Sequence, residues 1–361
     1  MIASLNEAFA TVHIHLDPSI TLAIQFLYMN ELSSLYASYA SQLRAEVAAR
    51  NRAYAQGRAH VQSYGAAPVV VYEPQSESHG NFFDAAYTAI LARHDWLRRF
   101  DKIHAQARSL PKPREDRKWR ELDSCMSSDA LLMNVFCTPG VAESITVRNM
   151  LGVDADSLPE FGWKARVPLR NGRFDHTEVD MRWGSLLVEA KLTESNFQLR
   201  EAPAVEAYQD FDNVFDSDNL PRAGIATARS RRASEFPENL SQEFENVLGD
   251  PEAVTAVDPL VAAPKEAGYA GYQLIRDVLA AYACGTSFCV LHDARRPDLC
   301  EQWFRVMAAV RNADLRVRLK LLTWQELAPL LPAELQQFLD VKYGIVAPGQ
   351  KASVIEGFPL D

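Results

Sequence analysis

Gly184 separates two runs, FDHTEVDMRW (174–183) and SLLVEAKL (185–192), that alternate and carry enough β-branched, aromatic and aliphatic residues to be adjacent β-strands. This hairpin constrains the fold more than any other stretch. Side chains alternate across a strand, so Phe174, His176, Glu178, Asp180 and Arg182 share one face of the first strand, with Val179, Met181 and Trp183 on the other. On the second strand Ser185, Leu187, Glu189 and Lys191 share a face, while Leu186, Val188, Ala190 and Leu192 form an apolar face that belongs in a core.

A two-residue turn at Trp183-Gly184 pairs Arg182 with Ser185 and Asp180 with Leu187. Glu189 then lies diagonal to Asp180, roughly 7–8 Å away, on the same face. A glycine bulge is an equally open reading, and an odd turn without one would separate the two carboxylates.

Two carboxylates and an ammonium on one sheet face can hold a hard divalent cation and handle water beside a phosphodiester. Mg²⁺, or Mn²⁺ in its place, takes oxygen ligands, keeps several waters and is typically held by one or two carboxylates plus substrate phosphate. Asp180 and Glu189 meet that demand, with the Ala190 carbonyl as a third metal ligand. Lys191 orients or deprotonates the water, or stabilises developing charge. Glu178 and Glu194 are spare carboxylates for a second cation. Without its context, the same hairpin is a solvated polar face whose Glu and Lys pair with each other.

The order of elements supplies that context. A short helix over 127–137 precedes a strand from Trp163 to Leu169 and the hairpin; a helix from Tyr272 to about Cys284 and a strand over Ser287–His292 follow. With EAKLTESNF, GYQLIRDVLAAYA and FCVLHDARRP, this chain resembles the PD-(D/E)XK, or restriction endonuclease-like, nuclease superfamily. It is most similar to an uncharacterised bacterial group of restriction-endonuclease-like members, over roughly residues 121–325. The resemblance implies an α/β fold, a central mixed β-sheet flanked by helices. It also implies a Mg²⁺-dependent nuclease acting on nucleic acid, DNA in the first instance, with Asp180 and Glu189 as metal ligands and Lys191 as catalytic lysine. Gln273 stands where many such families keep a helix glutamine, Glu143 or Asp129 stands for the acidic residue of the first helix, and Arg276 is a further accessory position. Val179 replaces the name-giving proline.

Composition sets the remaining bounds. At 361 residues and 48% hydrophobic content the chain can bury a sizeable core. The expected organisation is a mainly helical cap and linker over 1–120, a nuclease-like domain over 121–343 with an insertion at about 216–264, and a tail over 344–361. No run reaches the ~18 apolar residues of a membrane span, and Thr21 to Met29 lacks a signal-peptide pattern. Five cysteines without metal spacing suit reduced thiols, so the expected location is the cytoplasm. The formal charge of −10 runs against nucleic-acid binding, which leaves local basic groups to do it: 112–120, 229–232, Arg295-Arg296, and Arg316, Arg318 and Lys320 on a strand over 315–322. His13 and His15 form a weak metal pair, and His176 and His292 are expected near the site. Cutting both strands of a duplex with one site per chain favours a homodimer. The rival readings are a catalytically inactive nuclease-like module for DNA binding or assembly, and a metal-dependent hydrolase of a non-nucleic phosphate ester.

Overall fold

A computed structural model of the protein describes residues 39–65, 67–104, 107–113, 118–154, 157–225 and 266–354. His13, His15, the 21–29 run, the 229–232 basic cluster and most of the expected insertion lie outside the described residues.

A helix over 39–54 leads into β1 (His60–Gln62) and β2 (Val70–Tyr72), a small antiparallel pair. Three short helical pieces follow, Asp84–Leu91, His94–Leu97 and the 3₁₀ turn Arg98–Asp101. After the helices Ser128–Phe136 and Ile145–Leu151 come β3 (Glu160–Pro168), β4 (Phe174–Trp183) and β5 (Leu186–Ala190). β6 (Leu199–Glu201), β7 (Arg222–Ile225) and β8 (Glu266–Ala270) form a second, three-stranded sheet. Two short helices separated by a turn, Ala202–Glu206 and Phe211–Val214, follow β6. The helix Tyr272–Cys284, β9 (Ser287–His292), the helix Pro297–Ala308, β10 (Leu319–Thr323) and the helix Ala333–Tyr343 complete the order. The 315–322 strand thus begins later than its alternation suggests, because Asn312 caps a short helix over Ala313–Arg316.

The main sheet has the order β10-β9-β5-β4-β3, antiparallel from β3 to β5 and parallel from β5 to β10. This mixed sheet, flanked by helices, is the α/β architecture that the resemblance implies. One face carries Met181, Trp183, Leu186, Val188 and Ala190 into a core shared with Leu131, Val135, Leu43 and Val47. The other carries Leu187, Phe288 and Val290 against Leu274, Ile275 and Val278 of the Tyr272 helix. Two helices distant in sequence are clasped together: Asn51 Nδ2 donates to the Lys342 carbonyl at 3.0 Å, Lys342 Nζ donates to Asn51 Oδ1 at 2.6 Å, and Arg50 donates to the Asp340 carbonyl at 3.1 Å. The Lys342 amino group is buried against the Tyr72 and Tyr54 rings, at 4.1 and 4.8 Å, and that burial pushes its pKa well below the usual lysine value.

The hairpin turn corrects the expected register. Trp183 pairs with Leu186, Arg182 with Leu187 and Met181 with Val188, so Gly184-Ser185 is the turn, two residues out of step with the Trp183-Gly184 alternative. Of the two turn residues only Gly184 has positive φ (+58°), the type II′ pattern. Parity is unchanged by a two-residue slip, and the same register continued places Asp180 opposite Glu189.

The faces of β4 are corrected as well. Val179 packs on the Tyr272 helix side, whereas Met181 and Trp183 pack on the other. The switch coincides with Gly162, whose φ of +63° interrupts β3 between the pairs Phe161–Met181 and Trp163–Val179. Alternation fails where the partner strand leaves the extended region.

Candidate active site

Asp180 sits where the β4–β5 ladder stops. In place of a backbone carbonyl, its Oδ2 accepts the Ala190 amide at 2.8 Å, so the carboxylate lies in the gap between the strands. Across the gap Lys191 Nζ donates to Glu189 Oε1 at 2.7 Å and to Gln273 Oε1 at 3.0 Å, and Gln273 Nε2 donates to the same Glu189 oxygen at 3.1 Å. The triangle closes because each member is fixed by backbone. The Lys191 amide donates to the Leu291 carbonyl of β9, while its own carbonyl accepts from the Trp324 indole. Gln273 lies in the first turn of its helix, where its amide and those of Gly271 and Tyr272 donate to the Phe197 and Gln198 carbonyls. That helix end is therefore capped by protein carbonyls.

Glu189 and Lys191 are both almost fully buried. Burial, then the Glu189 and Asp129 carboxylates, pushes the Asp180 carboxyl well above the ordinary range. Burial also raises Glu189, against the opposing pull of Lys191. Burial works against the charged Lys191, but Glu189, Glu194 and Asp180 outweigh it and hold the ammonium above the usual lysine value. Asp277, one turn on from Gln273, is fully buried, is pushed up to about 6 by burial, and has an oxygen without a hydrogen bond.

A second charged group, missed in the sequence, flanks Asp180. Arg99 donates twice to Asp129, at 2.8 and 2.9 Å, and once to Glu178 at 2.6 Å; it lies 3.9 Å from Asp180. Lys102 adds a 3.0 Å bond to Asp129. The guanidinium passes over Gly162, where a β-carbon would come within 2.3 Å of Nη1. The signal for this group was the Arg98-Arg99-Phe100-Asp101-Lys102 run itself, whose charges stand beside buried Phe100.

The accessory positions divide. Glu178 and Asp129 join the Arg99 group, and Arg276 bonds Asp277 and the Glu178 carbonyl. Glu194 latches two elements, accepting from Ser128 Oγ at 2.5 Å and the Leu192 amide at 2.7 Å. Glu143 stands apart, exposed and accepting from the Gly140 amide. Ala190 sends its methyl into the core and its amide to Asp180. His176 is exposed on β4, and buried His292 donates through Nδ1 to the Asp293 carbonyl. Of the expected basic groups, Arg296 forms a buried pair with Asp298, and Arg295 pairs with Asp293 and Glu46. Arg316, Arg318 and Lys320 bond the carbonyls of Val310, Thr286 and Leu151. A cleft of about 670 Å³ lined by Tyr54, Arg58, Phe83 and Phe338 contains none of the candidate residues.

No group of three or more His, Cys, Asp or Glu side chains that could hold a metal exists among the described residues. The donor set is instead two carboxylates. Among the described residues nothing hydrogen-bonds Glu189 Oε2, and Asp180 Oδ1 has Arg99 only at 3.9 Å. A buried and a partly buried carboxyl, both raised by burial and Asp180 also by Glu189, with an oxygen each to spare, fit a hydrated hard cation that takes its remaining ligands from water and phosphate. Among the described residues no helix is long and apolar enough to cross a membrane.

Residues 41–344 match the family model described as "Restriction Endonuclease associating with ARP". No curated protein and no solved structure matches the chain.

Proposed function

The chain belongs to the family of restriction endonucleases associating with ARP, and from that premise we propose that it is a PD-(D/E)XK-type nuclease hydrolysing phosphodiester bonds of DNA with Mg²⁺ or Mn²⁺. The observation that carries this reading is the closed Glu189–Lys191–Gln273 triangle facing Asp180 across the point where β4 leaves β5. Asp180 and Glu189 hold the cation, with the Ala190 carbonyl as a further ligand. When bound, the cation lowers the pKa of a water and neutralises charge on the phosphate oxygens. Lys191, held protonated by its carboxylate neighbours, orients that water through Nζ and offsets the charge that builds on the phosphorus-bound oxygens. Gln273 keeps Lys191 and Glu189 in register. The Ala190 amide fixes Asp180 Oδ2, which leaves Oδ1 without a hydrogen bond among the described residues, 3.9 Å from Arg99.

The nuclease core is assigned to residues 121–343 and a bracing cap to residues 1–120. Cutting both strands of a duplex calls for two copies of the chain. Five free thiols, three of them buried, suit the cytoplasm.

One observation favours a second reading, an assembly module without turnover: the family description names an association. Incubating plasmid and single-stranded DNA with Mn²⁺ and the intact chain, Asp180→Asn and Lys191→Met decides between them. Cleavage lost in both variants supports the nuclease; cleavage surviving in either sinks the site; binding without cleavage supports the module.

A further inference from the structure

The β3–β4 hairpin outruns the sheet that anchors it. β4 pairs with β5 only over Met181–Trp183, whereas its pairing with β3 continues to Phe174–Pro168, so the segments 163–168 and 174–179 extend as a two-stranded ribbon. The odd-numbered face of this ribbon is closed: Ala165, Val167 and Val179 are buried with the Tyr272 helix. The other face is open and carries exposed Lys164, Arg166, Phe174 and His176.

Cation pairing inside the sheet does not account for these residues. Glu178, the cross-strand partner of Lys164, is taken by Arg99 and Lys102. Arg166 stands opposite His176, a pairing that adds nothing to strand stability and costs some when both are charged. The Arg166 guanidinium lies over the Phe174 ring at 4.4 Å, which holds it at the surface in one orientation. From Lys164 to His176 there are four Lys or Arg, of which Arg170 pairs with Asp212, and one acidic residue, Asp175, whose carboxylate is occupied by the Tyr208 hydroxyl; the whole chain carries −10.

We infer that the open face of the β3–β4 ribbon is the surface that takes the phosphate backbone of a nucleic acid duplex and leads it to Asp180. A two-stranded ribbon is a shape that a duplex major groove admits. His176 and Asp180 are four residues apart on one strand, about 14 Å, the axial rise of about four base pairs at 3.4 Å each. A backbone seated on Lys164 and Arg166 therefore reaches Glu178, Arg99 and then Asp180 without leaving the strand direction.

The inference rests on the nucleic-acid reading above, and its test is independent of cleavage. Binding of a labelled 20-base-pair duplex to the full chain is followed by fluorescence anisotropy in EDTA across a salt series. Removing two phosphate contacts with Lys164→Ala plus Arg166→Ala should weaken binding roughly 50-fold at 0.1 M salt and reduce the slope of log K against log salt by about 2. Arg52→Ala plus Lys351→Ala, an equal charge removed from exposed positions off the ribbon, should keep both affinity and slope. All substitutions are at exposed positions, and circular dichroism checks that the variants fold. Equal weakening by both pairs overturns the inference, because net charge alone then explains it. Unchanged binding by the ribbon pair with a new tendency to aggregate overturns it too, and makes these cations protectors of an edge strand. If the intact chain binds no duplex and cuts none, the nuclease reading falls as well; if it cuts while the ribbon pair binds normally, only the ribbon falls.

Discussion

Replacing Arg99 by Met keeps the stem in the core and removes the buried charge that three carboxylates share. Asp129 has 7% side-chain exposure and accepts two of the three guanidinium bonds, while Glu178, at 38%, can turn to water. The Glu178 contact is therefore worth little on the scale of exposed pairs, and the Asp129 contact decides the outcome. Stripping one partner from a buried pair costs about 3–5 kcal/mol. Lys102 remains 3.0 Å from Asp129, which places the expected loss near the lower end, about 3 kcal/mol, still a large part of a typical 5–15 kcal/mol.

The pH dependence carries a sign. In the intact protein burial would raise Asp129, yet Arg99 and Lys102 bring it below the ordinary value. Its contribution is then fully present above the unfolded pKa of about 3.9 and is lost as pH falls through the folded value. In Arg99→Met burial dominates and the folded pKa moves above the unfolded one, so the variant's penalty is greatest at neutral pH and shrinks toward pH 4. Urea unfolding followed by tryptophan fluorescence at pH 7, 6 and 5 measures this, and Asp129→Asn in the variant background should recover most of the loss. A loss under about 1 kcal/mol at pH 7, or one that grows toward pH 5, would refute the reasoning.

Gly162→Ala should destabilise by about 1–3 kcal/mol in the same assay, since it forces a side chain into positive φ and into the Arg99 guanidinium. Asp277 has a folded value of about 6, above the unfolded one, so stability falls as pH rises from about 4 to 6; Asp277→Asn should flatten that fall in urea midpoints. Asp180→Asn should weaken Mn²⁺ binding at least tenfold by paramagnetic resonance, and Gln273→Ala should lower the turnover of any DNA cleavage while leaving Mn²⁺ binding within a few fold. Unchanged Mn²⁺ affinity in Asp180→Asn rules that residue out as a ligand.

The elements that face a core on one side were legible in the sequence because burial imposes a period: Ser287–His292, Tyr272–Cys284, Ser128–Phe136 and the apolar face of β5 all stand where their patterns place them. What escaped was set by single backbone angles and by distance along the chain. Trp-Gly and Gly-Ser are equally short turns, and only the packing of Trp183 in the core fixes which is used. The face switch at Val179 depends on a glycine in the neighbouring strand. Asp129, Arg99 and Gly162 meet across gaps of 30 and 63 positions, beyond the reach of any periodicity. Glu143 and Asp129 were equal candidates on paper, and the fold places only Asp129 beside Asp180.

The clasp between Asn51 and Lys342 has a bearing on how the molecule is made. These partners are 291 positions apart, so at about 5–20 residues per second the first waits roughly 15–60 s for the second to be translated. Throughout that interval Leu43 and Val47 lack the C-terminal part of the core they share with Leu335 and Leu339. The seam between the first and last helices of the core is thus the last part of the molecule to close during synthesis.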